Sequence, residues 1–498
     1  MKLYYLFLLI ILMMTTLRIE SHSQERNDYQ WILGGSSGGD GTLMNFNYSP
    51  VNVSFQGKDM RMEGSNTSMS DNEGNLLFYS NGCFIANADH ELMYNGDDIA
   101  PGLLQDIWCP VGGSPLKQGV VSIPDPNNNN LYYIFNLDFA QAYEDIEFSA
   151  LAPLNLYYQI IDMTLQNGLG EVIAKNQVAV QDTLARGTLS AVRHDNGEDW
   201  WIVIPQSHSN CYYMILVNSN GVQPALIECE GMVWNDSDSG QAVFSPDGTK
   251  YIRFNYQNGL NIFDFDASIG ELNNSLVIHF PEDNFPTNSG AAISPNSRYL
   301  YVSARTKLYQ FDLNADDIES SRILIAEWNG MENPSPTIFN SSALGPDGKI
   351  YITSSGSTLS LHVIHKPDCQ GLNSEVEQNG ISLPAFNFRS IPNFPHYRNE
   401  STDINCDSVI VSSNEISSEA STKFFPNPAN NFVTIQTGQI QNYLVEFFDV
   451  FGQKRLTTSF LGKESEIDLY DLDQGVYFYR IFSEQTIIGK GKILIKKD

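Results

Sequence analysis

Four stretches carry side chains whose type and spacing suit chemistry. Gly35-Ser-Ser-Gly-Gly has the GxSxG spacing of a nucleophile elbow. An elbow needs a strand before the serine and a helix after it, whereas this one runs on into Asp40 and Gly41, so it reads as a glycine-rich turn. His362-Val-Ile-His365 offers two imidazoles. In a strand, residues three apart point to opposite faces, so the pair cannot share an ion there. Asn235-Asp-Ser-Asp-Ser-Gly and Asp71-Asn-Glu-Gly-Asn place oxygen ligands at alternating positions, as calcium loops do, but neither has the bidentate Glu of a full EF-hand. Turn formation by Asp and Asn accounts for both, so no cofactor is expected and calcium is the one left open. Last, Trp200 and Trp201 lie between His194 and His208. The tryptophans are candidate sugar platforms and the histidines candidate acid and base groups, provided that they converge on one cavity. No catalytic or metal residue is assigned.

The elements that must position these residues are strands. Phe244-Ser-Pro-Asp-Gly through Asp266 reads as strand, Pro-Asp-Gly turn, strand, Asn-Gly turn, strand, because Pro presets φ at the second turn position and Gly supplies positive φ. The opening turn recurs at Asn296 and Asp347, with weaker copies at Asp71, Asp125 and Asp195. Intervals of about fifty residues, with one longer gap spanning Asp138 to Leu154, match the period of four-stranded propeller blades. The spacing predicts an all-β chain with a β-propeller over residues 24–398, six blades seen directly and a seventh inferred. That seventh is expected to pair strands near Trp31, Leu43 and Val51 with Ile381 to Phe388, closing the ring and hiding its edges.

Charge and cysteine usage narrow the partners. The chain has a net charge of −30. Its last 75 residues hold 8 Lys and Arg against 9 Asp and Glu, so the acidity belongs upstream. A surface this acidic repels nucleic acid and anionic membranes, and nucleic-acid binding is excluded on that ground. Residues 1–23 read as a signal peptide, with Lys2, an apolar run from Leu3 to Leu17 and cleavage before Gln24; the run is too short for a stable membrane span. Six cysteines then fit an exported, disulfide-bonded protein. Their connectivity is open, and locality favours Cys83 with Cys109, Cys211 with Cys229, and Cys369 with Cys406.

Residues 399–423 are polar and Ser-rich, a linker. Beyond it, alternating segments at 432–436, 444–449, 466–469, 475–481 and 491–495 predict a small two-sheet β-sandwich over residues 424–498. Its motifs, Phe425-Pro-Asn-Pro-Ala, Val445-Glu-Phe-Phe-Asp-Val-Phe-Gly-Gln, Leu472-Asp-Gln-Gly-Val-Tyr-Phe-Tyr and Gly489-Lys-Gly-Lys-Ile-Leu-Ile-Lys-Lys, resemble the type A C-terminal sorting domain of the bacterial type IX (Por) secretion system. The carriers of that resemblance are Pro426, Asn427, Pro428, Asp449, Gly452, Gly475, Tyr477, Lys490 and Lys496. It implies export through periplasm and outer membrane by the type IX machinery, after which the cargo is secreted or held at the cell surface. The upstream region resembles the WD40-like, PD40-type propellers found in front of such domains, on Tyr79-Ser-Asn-Gly-Cys, Ala191-Val-Arg-His-Asp-Asn-Gly-Glu-Asp-Trp-Trp-Ile-Val and the Phe244 repeat. That resemblance implies a fold much more firmly than an activity. Two functions follow: a non-enzymatic module binding an unidentified extracellular glycan, peptide or surface partner, or a hydrolase or lyase acting on an extracellular polymer at the channel mouth. Paired carboxylates in the channel would favour the enzyme, and apolar and amide side chains there would favour binding.

Overall fold

The structure, a computed structural model, describes residues 25–34, 40–58, 60–141, 151–234, 240–255, 257–280, 289–398, 406, 423–449, 453–483 and 486–497. The signal-peptide reading, the GxSxG loop, the Asn235 loop, nearly all of the linker and Gly452 fall outside them. The chain divides into two compact units, Met1–Ser408 and Val409–Asp498. Among the described residues no helix is long and apolar enough to cross a membrane.

In the first unit the described residues form seven antiparallel sheets of three to five strands, plus a two-stranded ribbon, Ala140–Gln141 with Leu151–Ala152. The first strands of the seven are Gln30–Leu33, Thr67–Ser70, Val120–Pro124, Ser190–Arg193, Gln241–Phe244, Ser289–Ile293 and Phe339–Leu344. Each of the six repeated turns joins a first strand to a second. Asp247, for example, lies between Gln241–Phe244 and Lys250–Asn255, and its carboxylate accepts the Thr249 N–H at 3.0 Å. The positive φ of Gly248, 71°, is what such a turn asks of its glycine. The long interval near Asp138 has its cause in the ribbon and in the long strands Asn155–Asp162 and Glu171–Gln181.

Side chains point alternately to the two faces of each strand, and in strands such as Trp200–Pro205 and Tyr299–Ala304 both faces are buried, so apolar side chains fill the seams between successive sheets. Met69, Phe78 and Val120 join the second sheet to the third, Ile252, Phe254 and Leu300 join the fifth to the sixth, and Phe339, Tyr301 and Ile352 join the sixth to the seventh. One seam brings the first sheet back to the seventh: Trp31 and Phe46 pack on Tyr351, with ring centroids 5.6 and 5.7 Å apart. The sheets therefore run round in a closed, propeller-like ring.

Closure differs in one respect from expectation. Gln30–Leu33, Asp40–Asn45 and Asn52–Gly57 make a complete sheet of their own, while Val376–Asn387 pairs with Thr358–Ile364. Pairing with the preceding strand needs only the connection 365–375, which includes the short helix Gly371–Ser374, and wins over a pairing across the whole unit. The ring is closed by packing between the first and last sheets, without a shared sheet.

All three local cysteine pairs are disulfides: Cys83–Cys109, Cys211–Cys229 and Cys369–Cys406.

The second unit is a single connected sheet whose long strand Phe432–Phe448 takes Lys423–Phe425 on one edge at its start and Gly475–Ser483 at its end, with Lys454–Asp468 along the other edge. Val433, Val445, Phe447, Tyr477, Ile481 and Ile493 are buried in its core, as in a β-sandwich.

Candidate functional site

The channel of such a ring is one candidate site, and its lining bears on what chemistry it can hold. Each first strand is bonded to the second strand of its own sheet, which leaves its other edge facing the axis with backbone donors and acceptors to satisfy. Side-chain amides meet that need. Gln241 Oε1 accepts the N–H groups of Ala291 and Ser342, each at 3.0 Å, and its Nε2 donates to Ser342 O at 2.6 Å, so one amide spans three sheets. Gln118 brackets Ala242 in the same way, accepting its N–H at 2.7 Å and donating to its carbonyl at 2.8 Å. The buried Lys117 donates to Ser289 O at 3.2 Å and to Asn340 Oδ1 at 2.7 Å, and so bridges the sixth and seventh sheets.

The rest of the channel is filled by the chain itself. After Val376–Asn387, residues 388–398 take no regular secondary structure, yet Ile391, Pro392, Asn393, Pro395 and Tyr397 are buried. Pro392 and Pro395 lack N–H groups and hold the backbone extended, which suits a segment that crosses strand edges without joining a sheet. Asn393 is its hub. Its backbone N–H donates to Asn66 O at 2.8 Å and its carbonyl accepts Thr67 Oγ1 at 3.2 Å. Its Nδ2 donates to Val120 O and Leu189 O, at 2.9 and 2.8 Å, and its Oδ1 accepts Gln118 Nε2 at 3.0 Å.

Further along, His396 Nε2 donates to Phe244 O at 3.0 Å, and burial pushes its pKa down to about 4, so this imidazole is neutral at pH 7. The Tyr397 ring packs edge-on to Trp200 with centroids 5.7 Å apart. Arg398 makes a two-pronged contact with Asp28, at 2.7 and 2.6 Å, and donates to Glu25 O at 2.7 Å. Burial opposes the guanidinium charge, and the Asp28 carboxylate with its hydrogen bonds more than restores it.

Between this strap and the fifth to seventh sheets remains a cavity of about 60 Å³. Its lining includes Gln241, Ser341, Ser342, Ala292 and Leu344, together with Lys117, Arg389 and His396. Asp28 is the one carboxylate among the lining residues, and it is held by Arg398. The arrangement can bind polar backbone or water, and among the described residues its lining holds no pair of free carboxylates such as glycoside chemistry needs.

The residues singled out in the sequence lie elsewhere. Trp200 and Trp201 are buried on opposite faces of Trp200–Pro205, one in the seam with the third sheet and the other in the seam with the fifth. Trp201 Nε1 donates to Ala267 O at 2.8 Å and its ring stacks on His194. His194 and His208 occupy the turns at the two ends of that six-residue strand, roughly 17 Å apart at strand rise, so the structure does not bring them together. His362 is fully buried, accepts the Asn379 N–H at 3.2 Å and has its pKa lowered to about 4 by burial, while His365 pairs with Glu377. In the Asp71 turn, Oδ1 accepts the N–H groups of Glu73 and Asn75, at 3.0 and 2.8 Å. Among the described residues no group of three or more His, Cys, Asp or Glu is placed to hold a metal ion.

In the second unit the sequence motifs are joints of the sheet. Asn427 Oδ1 accepts the Leu494 N–H at 2.9 Å and its Nδ2 donates to Lys492 O at 3.1 Å, so the Pro426-Asn427-Pro428 segment caps the free edge of Thr486–Ile495. Asp449 Oδ1 closes its turn on the Gln453 N–H at 2.9 Å and Oδ2 accepts Arg455 Nε at 2.6 Å. Gly475 pairs with Ile495 and Tyr477 is buried against Ile493, while Lys490 and Lys496 are exposed. Residues 423–496 match the family model described as the secretion system C-terminal sorting domain, Por_Secre_tail. The tail of this chain is a sorting domain. That domain marks its carrier for export.

No curated protein matches the chain. Among solved structures it is similar to PorZ, a surface component of the type-IX secretion system of Porphyromonas gingivalis, at 11% identity and a TM-score of 0.32 over 93% of this chain and 65% of that one. The chain thus spans about two thirds of the length of PorZ. It is also similar to the Dos1 propeller, at 9% identity and a TM-score of 0.35 over 66% and 91% of the two chains. A third likeness is to the periplasmic gluconolactonase PpgL of Pseudomonas aeruginosa, at 13% identity and a TM-score of 0.36 over 88% and 98%. Likenesses this low carry no activity across.

Proposed function

We propose that this chain is an exported binding protein: a seven-bladed, WD40-like propeller carried to the cell surface or beyond by the type IX secretion system. The N-terminal signal peptide opens the route through the periplasm and the sorting domain completes it. The observation that supports the binding reading is the channel, whose described lining is mostly amide, hydroxyl and apolar with Lys117, Arg389 and His396, and whose one carboxylate among the described residues is already paired. With the axis filled, the partner binds on a face of the ring, through loops that the rigid sheets hold in place. The partner is a glycan, a peptide or a surface protein.

The test is thermal unfolding of the purified full chain, alone, with calcium, with chelator, and with panels of polysaccharides and peptides. Ligand at a hundred times its dissociation constant adds roughly 2.7 kcal/mol, a readily seen shift. Stabilisation by one polymer with no release of shorter fragments supports binding. Release of fragments from any polymer would overturn it in favour of the hydrolase or lyase.

A further inference from the structure

We propose that the channel is a peptide-binding site and that the strap Ile391–Arg398 is its resident ligand, a plug acting in cis. The strap behaves as a bound peptide does. Its polar contacts go outward to the ring: Asn393 alone meets groups from the second, third and fourth sheets, and His396 reaches the fifth. Two aromatic side chains anchor it, Phe394 against Trp31 and Tyr397 against Trp200, and Arg398 ends it in a charge-matched pocket with Asp28. Pro392 and Pro395 preset the extended backbone, which lowers the ordering cost of binding as it does for proline-containing peptide ligands.

Both ends are tethered. The strand Val376–Asn387 precedes the strap, and the disulfide Cys369–Cys406 fastens the chain that follows it. A tether this short sets an effective concentration in the millimolar range, enough to keep the site filled against a free competitor. The cavity beside the strap shows that the channel is wider than the segment it holds. The site therefore recognises an extended, proline-interrupted peptide with an Asn read by both amide atoms and an Arg five residues later. This assignment stands whatever the outer faces of the ring bind.

The experiment loosens the strap in the full chain and offers its sequence in trans. Trypsin cleavage after Arg389 reports docking. In the wild type it is slow, and Asn393→Ala with Arg398→Ala raises its rate at least tenfold while circular dichroism keeps the native β signal. A labelled peptide of residues 389–398 then binds the loosened variant saturably and the wild type not at all, and the same peptide with Asn393→Ala binds at least tenfold more weakly. If the double variant does not fold, Asn393→Ala alone serves, with the same readouts. Unchanged cleavage in the variant would refute the role of Asn393. A readily cleaved variant that ignores the peptide, or binds a scrambled one equally, would show that the strap is packing and not a ligand.

Discussion

Breaking the Asp28–Arg398 pair is the sharpest perturbation of ring closure. The two side chains are 6% and 16% exposed, and their contact joins the beginning of the ring to its end. Arg398→Leu removes the cation but leaves Asp28 buried without it, and stranding one partner of a buried pair costs about 3–5 kcal/mol. Unfolding entropy of about 2.1 cal/mol/K per residue over about 370 residues gives roughly 0.8 kcal/mol/K, so 4 kcal/mol lowers Tm by about 5 °C. Replacing both partners, Asp28→Leu with Arg398→Leu, removes the stranded charge, and the double variant melts within about 2 °C of wild type. The assay is calorimetry of the purified full chain at two ionic strengths, because a buried pair is little screened by salt. The reasoning fails if Arg398→Leu alone melts within 1 °C of wild type, or if the double variant is less stable than the worse of the two single ones.

Three further outcomes follow from contacts already described. Burial holds His362 neutral with a folded pKa of about 4 against about 6.5 unfolded, so the unfolded chain takes up the proton first as pH falls. Its contribution is intact above pH 6.5 and is lost progressively down to pH 4, by about 3 kcal/mol, and His362→Gln removes that share of the fall in the denaturant midpoint, leaving the share of His396, whose pKa is lowered in the same way. Gln241→Leu strands the Ala291 and Ser342 N–H groups at the channel wall and costs about 2–3 kcal/mol, read as a lower urea midpoint. Asn427→Ala uncaps the Leu494 N–H and costs the sorting domain about 1 kcal/mol, seen as roughly fivefold faster hydrogen exchange at that amide.

The parts of this fold that were legible in the sequence are those set by neighbours along the chain. The turns at Asp71, Asp125, Asp195, Asp247, Asn296 and Asp347 announce themselves through Pro, Gly and Asx chemistry, and each joins a first strand to a second. In the sorting domain Asp449 is legible for the same reason, since it closes its turn on Gln453 four positions on, whereas Asn427 bonds Lys492 and Leu494 far along the chain and is legible only through the family motif. The channel is not. Asn393 is bonded to residues more than two hundred positions away, and a lone Asn between two prolines reads as one more loop. A signal was there nonetheless: residues 391–398 are apolar and aromatic for a linker yet have no alternation, which is the pattern of a buried segment belonging to no sheet. Gln118 and Gln241 gave less warning, because a glutamine spanning two strand edges looks in sequence like any polar residue on a solvated face.

The same account of the inner edges explains where the charge lies. A closed ring of first strands turns backbone carbonyls toward its axis, and a cation with several donors satisfies them: Lys117 meets Ser289 O, while outside the sheets Arg398 meets Glu25 O. Lys58 does likewise near the rim of the first sheet, bonding Gly34 O and Met60 O, with its pKa lowered to about 8 by burial. Among the described residues the buried charged side chains are Asp28, Asp138 and Asp368 on one side and Lys58, Lys117 and Arg253 on the other. Burial thus takes equal numbers of each sign out of reach and leaves the acidic excess on the surface. A partner that binds a face of the ring must approach through that field, which speeds basic or neutral surfaces and slows acidic ones. For the proposed binding function that field favours neutral glycans and neutral or basic peptides, and association with a basic peptide is expected to slow steeply as salt is raised.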